Sequence, residues 1–216
     1  TAPRRLLLRL GPVRLPVRVR SLLIATGAAC AIVVLAVLAL GAGSFPLTAA
    51  QVVDVLFGGG EAIDRTVVLE WRLPRALAAV AVGALLGIAG ALFQSVTKNP
   101  LASPDILGLS NGAFTGMLLT LVFVSASAPA RTVGALLGGL GTAALIWLLA
   151  ARGGVQGFRL IIVGIGVSAI LASINTWLLL QIELETAMFA SAWGAGTLNG
   201  VTAEMLVTAL LLAAPF

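Results

Sequence analysis

The stretch Ala76–Thr97, ALAAVAVGALLGIAGALFQSVT, contains no charged side chain over 22 residues. As an α-helix it rises about 33 Å, enough to cross a hydrocarbon layer of roughly 30 Å. Four more runs share this character: Ser21 to Val53, Ile106 to Ala130, Thr132 to Ala151 and Leu160 to Ile182, and a sixth begins near Met205. Backbone groups in hydrocarbon must be satisfied within their own segment, so runs of this length mean helices; a membrane barrel shows alternating stretches of about ten residues. The sequence therefore predicts an all-α polytopic membrane protein.

Composition agrees. Of the 216 residues 60% are hydrophobic and 10% charged, against roughly 25% charged in a soluble domain. The net charge of +5 invites a nucleic-acid reading, but six of the thirteen basic residues, Arg4, Arg5, Arg9, Arg14, Arg18 and Arg20, precede the first span. In that place they hold the N-terminus in the cytoplasm and meet anionic lipid headgroups. No nucleic-acid partner is expected. Residues 1–21 are read as a basic cytoplasmic segment and 22–216 as the transmembrane domain, expected to be C-terminally incomplete because the chain stops at Pro215-Phe216 within an apolar run.

The expected spans are 22–41, 74–96, 106–126, 132–150 and 159–181, with the sixth heading back in. With the N-terminus inside, nine basic residues fall inside, including Lys98, Arg152 and Arg159, and four outside, Arg65, Arg72, Arg75 and Arg131. The asymmetry supports that orientation. Between the first two spans, Thr48-Ala49-Ala50-Gln51 has the form of a capping box opening a short external helix, and Gly58-Gly59-Gly60 breaks the chain after it. A second surface helix is expected over Thr186 to Trp193.

Catalytic and metal chemistry are poorly provided for. The chain has no His, and Cys30 is its only cysteine, which removes the commonest general base and the usual transition-metal ligands. Neither a catalytic residue, a metal site nor a cofactor is expected. Gly108-Leu109-Ser110-Asn111-Gly112 fits the G-x-S-x-G pattern, but that elbow needs a strand before it and a His partner. A P-loop sequence is also lacking, so ATP, if it drives this chain, is hydrolysed elsewhere. The spans carry no ionisable group in their apolar cores, unlike ion-coupled transporters. They hold neutral polar residues instead, among which Gln94, Ser110, Asn111 and Asn175 are the candidates to line a pathway. Lys98 to Asp105, with Pro100 and Pro104, is expected to be a rigid non-helical connection. Its plain reading is a tight turn; its functional reading is a gate.

An ordered series then carries a resemblance: Arg72-Leu73-Pro74-Arg75, Gly83-Ala84-Leu85-Leu86-Gly87-Ile88-Ala89-Gly90-Ala91, Gln94, Asn99-Pro100-Leu101-Ala102-Ser103-Pro104, Leu107-Gly108 and Asn111-Gly112-Ala113. It resembles the FecCD-type permeases of ABC importers for iron-siderophores, haem and vitamin B12. The resemblance implies the helical bundle of a type II ABC importer permease, with about six of ten transmembrane helices present here. It implies a bacterial cytoplasmic (inner) membrane location, a second permease subunit, identical or homologous, two ATP-binding subunits, and a periplasmic or lipid-anchored substrate-binding protein. By the same resemblance Arg72 and Arg75 dock the binding protein, while Asn99, Pro100, Leu101, Gln156 and Gly157 form the cytoplasmic gate. Gln156 and Gly157 stand where the vitamin B12 importer has small hydroxyl residues. The implied cargo is an iron-siderophore-type chelate, with haem or vitamin B12 as alternatives. A secondary transporter or channel without an ATPase, an intramembrane enzyme using Ser110, and a structural scaffold are the competing readings.

Overall fold

A computed structural model describes residues 5–10, 13–100, 102–151 and 157–213, with side chains described from residue 18 to residue 211 within those ranges. The expected gate residues Leu101 and Gln156 lie outside the described residues. Two compact units divide the chain, one formed by 1–83 with 198–216, the other by 84–197.

In the first unit, strands β1 (Arg5–Leu10) and β2 (Val13–Arg18) pair antiparallel, with Arg5 opposite Arg18 and Arg9 opposite Arg14. The sequence reading assigned this basic segment no regular structure. Helix α1 (Val19–Gly41) follows, and its apolar side chains are exposed almost all round, Leu40 being buried. An all-round apolar surface suits a segment whose solvent is hydrocarbon.

The capping box forms as expected and opens α2 (Ala49–Leu56): Gln51 N–H donates to Thr48 Oγ1, and Thr48 N–H donates to Gln51 Oε1 at 2.9 Å. The triple glycine ends it, Gly58 and Gly60 taking φ of +93° and +79°. The chain then re-enters helix earlier than expected. A short turn α3 (Ala62–Arg65), a π-helical segment (Thr66–Arg72) and α4 (Leu73–Thr97) run on without a break, forming a 36-residue apolar helix. Leu40, Leu47, Val52, Val55, Val67 and Val68 form the core that joins α1, α2 and this segment.

In the second unit the expected third span is interrupted. Pro104–Leu107 is a 3-10 turn, Gly108 takes the left-handed conformation at φ +72°, and α5 covers only Leu109–Phe123. At about 22 Å this helix is shorter than α1 and α4. The expected non-helical connection to Asp105 gives way at Pro104, where the 3-10 turn begins. Helices α6 (Ala128–Ala150) and α7 (Gly157–Leu179) are each 23 residues and apolar enough to span. The expected surface helix is α8 (Leu184–Gly194). Back in the first unit, α9 (Ala203–Ala213) begins where the sixth span was expected. Among the described residues four helices thus satisfy both length and hydropathy for crossing a membrane, with α5 a shorter apolar companion.

Helices α5 and α6 approach closely because four glycines face one another. A methyl group on Gly116 would meet the backbone of Gly134 and Gly138, and one on Gly138 would meet that of Gly112 and Gly116. This is small-residue packing of the kind that joins helices where no hydrophobic driving force exists.

Candidate functional site

The sequence-predicted docking pair lies in the first unit, on a cavity of about 480 Å³ lined by Phe45, Trp71, Arg72, Arg75, Ala76 and neighbouring small residues. The two arginines have different surroundings. Arg72 closes the π-helical segment and is half-buried; its Nη1 donates to the carbonyl of Leu40 at 2.8 Å and its Nη2 to that of Phe45 at 2.5 Å. Leu40 sits in the last turn of α1, where carbonyls lack intrahelical donors, so a cation there is doubly favoured. Arg75, the third residue of α4, is exposed, and no hydrogen bond to another described residue holds it.

The candidate gate lies in the second unit. Lys98 has a φ of +51°, and Asn99 N–H donates to the carbonyl of Gln94 at 3.2 Å, turning the chain sharply out of α4. Ala102 N–H then donates to Asn99 O at 3.2 Å. Asn99 is half-buried and Pro100 exposed. Gly157, the first residue of α7, sits against the end of α4: a Cβ there would lie 2.8 Å from the Thr97 carbonyl. Gly157 therefore meets the end of α4, two residues before Asn99.

The four predicted lining residues separate into two kinds. Gln94 is exposed on α4, and Ser110 is exposed at the start of α5, its hydroxyl donating to Asp105 Oδ1 at 2.6 Å. Asn111 and Asn175 are tied into a network joining α5 to α7. Asn111 Nδ2 donates to Ser168 Oγ at 2.8 Å, Asn175 Nδ2 to Asn111 O at 3.2 Å, and Thr115 Oγ1 to Asn175 Oδ1 at 2.7 Å. Asn175 is 4% exposed, so its amide acts as an interhelical tie. Gly108 permits the approach, because a Cβ there would come within 2.6 Å of Ser168 Cβ.

Sequence reasoning missed both this network and two ring contacts that fasten α8 within the second unit. There Phe114 stacks on Trp193 with centroids 6.3 Å apart, and Arg131 lies 4.7 Å from the Phe189 ring centre. Arg131, counted as an outside charge, thus also fastens α8 to α6. The pairs are 79 and 58 residues apart in sequence (193 − 114 and 189 − 131), beyond the reach of local pattern. Among the described residues no three His, Cys, Asp or Glu side chains group to hold a metal.

The model of the FecCD transport family matches residues 31–216. The ferric enterobactin transport system permease protein FepG of Escherichia coli K12 is 48% identical over 172 residues, covering 80% of this chain and 52% of that protein. FepD, the other permease named for the same system in that organism, is 34% identical over 165 residues, 75% of this chain and 48% of its own length. A solved structure described as an inward-facing conformation of an ABC transporter of metal-chelate type superposes with a TM-score of 0.72 at 28% identity, over 85% of this chain and 56% of that one. The chain spans about half the length of these proteins.

Proposed function

The chain belongs to the FecCD transport family, and on that premise we propose that it is part of the membrane-spanning permease of a bacterial ABC importer for a ferric siderophore of the enterobactin type. The observation that carries the proposal is the 48% identity to FepG. Similarity to both FepG and FepD, and greater to the first, favours a partner permease that is homologous and not identical.

In this reading the N-terminus is cytoplasmic, by the basic-residue asymmetry, and the protein lies in the inner membrane. A binding protein docks on the outer side near Arg75. The chelate moves along a pathway toward the junction of Lys98–Pro100 with Gly157, and ATP hydrolysis on separate subunits drives the cycle. This chain is then not itself an enzyme. Gln94, exposed, and Ser110, exposed with its hydroxyl bonded to Asp105, are the lining candidates left after Asn111 and Asn175 are committed to ties between α5 and α7. Neutral groups suit a pathway that must release a bulky chelate, since a deep charged site would retain it. Uncharged spans also weigh against ion coupling.

The cargo is tested in iron-starved cells lacking this gene, supplied in turn with ferric enterobactin, a ferric hydroxamate, haem and cobalamin. Loss of ferric enterobactin uptake with the others spared is the expected result. Selective loss of another ligand would replace the cargo assignment, and loss of none would remove it.

A further inference from the structure

The resemblance treats Arg72 and Arg75 as one docking pair, yet their side chains differ in burial and in hydrogen bonding. We infer that Arg72 is a positioning residue, an internal latch closed over Gly43, and that Arg75 alone is left to meet an acidic partner. The inference deepens the docking reading above and rests on it.

Three observations converge. The first is the pair of carbonyl bonds: Arg72 ties Leu40, at the end of α1, and Phe45, in the connection to α2, to the start of α4. Charge-assisted bonds of this kind are stronger than neutral ones, and a carboxylate arriving from outside must compete with both. The second is Gly43. Its φ is +146°, and a Cβ on it would lie 2.7 Å from Arg72 Nη2 and 3.2 Å from Cζ. The guanidinium thus lies in the space that a side chain at Gly43 would take. The third is Arg75 itself, three residues on, exposed and unbonded among the described residues. Residues three apart in a helix share a face, so Arg75 stands beside the latched segment. Arg72 fixes the shape of the Ala42–Leu47 connection next to the position from which Arg75 projects its charge.

The test uses the complete transporter, with its partner permease and ATPase in lipid nanodiscs, and its own binding protein. Association is measured over a range of salt concentrations, and thermal unfolding without binding protein. Arg75→Gln should weaken association roughly tenfold at low salt and flatten its salt dependence, leaving the thermal midpoint unchanged. Arg72→Gln and Gly43→Ala should each lower the midpoint, and the double variant should fall by less than the sum of the two, because the strain of an alanine at φ +146° persists while its clash with the guanidinium is gone. Arg72→Gln should keep the wild-type salt slope even where affinity drops.

Arg72→Gln flattening the salt slope as Arg75→Gln does, with an unchanged midpoint, would overturn the division of roles. Additive midpoint losses would overturn the latch. Wild-type association indifferent to salt would overturn the docking assignment of Arg75, and the Gly43–Arg72 coupling, read without binding protein, separates that failure from failure of the latch.

Discussion

Asn175 has no ionisable group and a modest side chain, yet its amide oxygen and nitrogen each have a partner on α5 while only 4% of its surface is exposed. Removing it leaves the Thr115 hydroxyl with only its own helix's Asn111 carbonyl. Interhelical bonds in membrane proteins contribute about 0.6 kcal/mol on average and rarely more than about 1.7 kcal/mol. Asn175→Leu is therefore expected to lower stability by about 1 kcal/mol in reversible unfolding in detergent, and Thr115→Val should not add to it fully. The sequence marked Asn111 and Asn175 as unusual because an amide in an apolar run needs partners. It gave no means of telling a pathway-facing amide from a helix tie, since that depends on Ser168 and Asn175 meeting α5 across more than fifty residues of chain. Thr48 is the opposite case. Its capping box was legible because all its bonds lie within four residues, and Thr48→Ala should destabilise α2 by about 1 kcal/mol.

Helices α5 and α6 show how much of an element's role sequence spacing reveals. Gly112 and Gly116, and Gly134 and Gly138, are each four residues apart in the sequence, but that spacing does not say which glycines face which partner. Gly112, Gly116, Gly134 and Gly138 face one another here, whereas Gly83 and Gly87 have nothing within 4 Å of a built Cβ. Gly138→Leu should thus destabilise by about 1–3 kcal/mol through overpacking, while Gly87→Leu should be near neutral within this chain; equal losses in detergent unfolding would contradict the assignment. The third span was read too long for a local reason. Hydropathy is blind to the left-handed Gly108, which starts α5 afresh after the 3-10 turn. The π-helical segment was equally hidden, because its wide turn depends on packing Val67 and Val68 into the core with α1 and α2. Gly157 at the head of α7 touches the end of α4, so Gly157→Val must push those ends apart. Transport should slow severalfold while binding-protein affinity at the outer side stays unchanged; parallel loss of both would indicate misfolding instead.

At the scale of the whole molecule, the polytopic helical class followed from the length of uncharged runs alone, since hydrocarbon leaves the backbone few alternatives. The spans α1, α4, α6 and α7 lie within a few residues of the stretches read from hydropathy. The family was legible in the ordered series from Arg72 to Ala113, and the match over residues 31–216 establishes it. The separate duties of Arg72 and Arg75 were not legible, because both are arginines in one short motif and only the carbonyls of Leu40 and Phe45 distinguish them. The central claim, import driven by ATP on partner chains, is tested most directly in proteoliposomes holding the full permease pair and its ATPase, with ferric enterobactin and binding protein outside and ATP enclosed within the lumen. Where the ATPase faces the lumen, accumulation should require both the enclosed ATP and the binding protein. Equal accumulation without ATP, or accumulation that follows an imposed ion gradient, would contradict it.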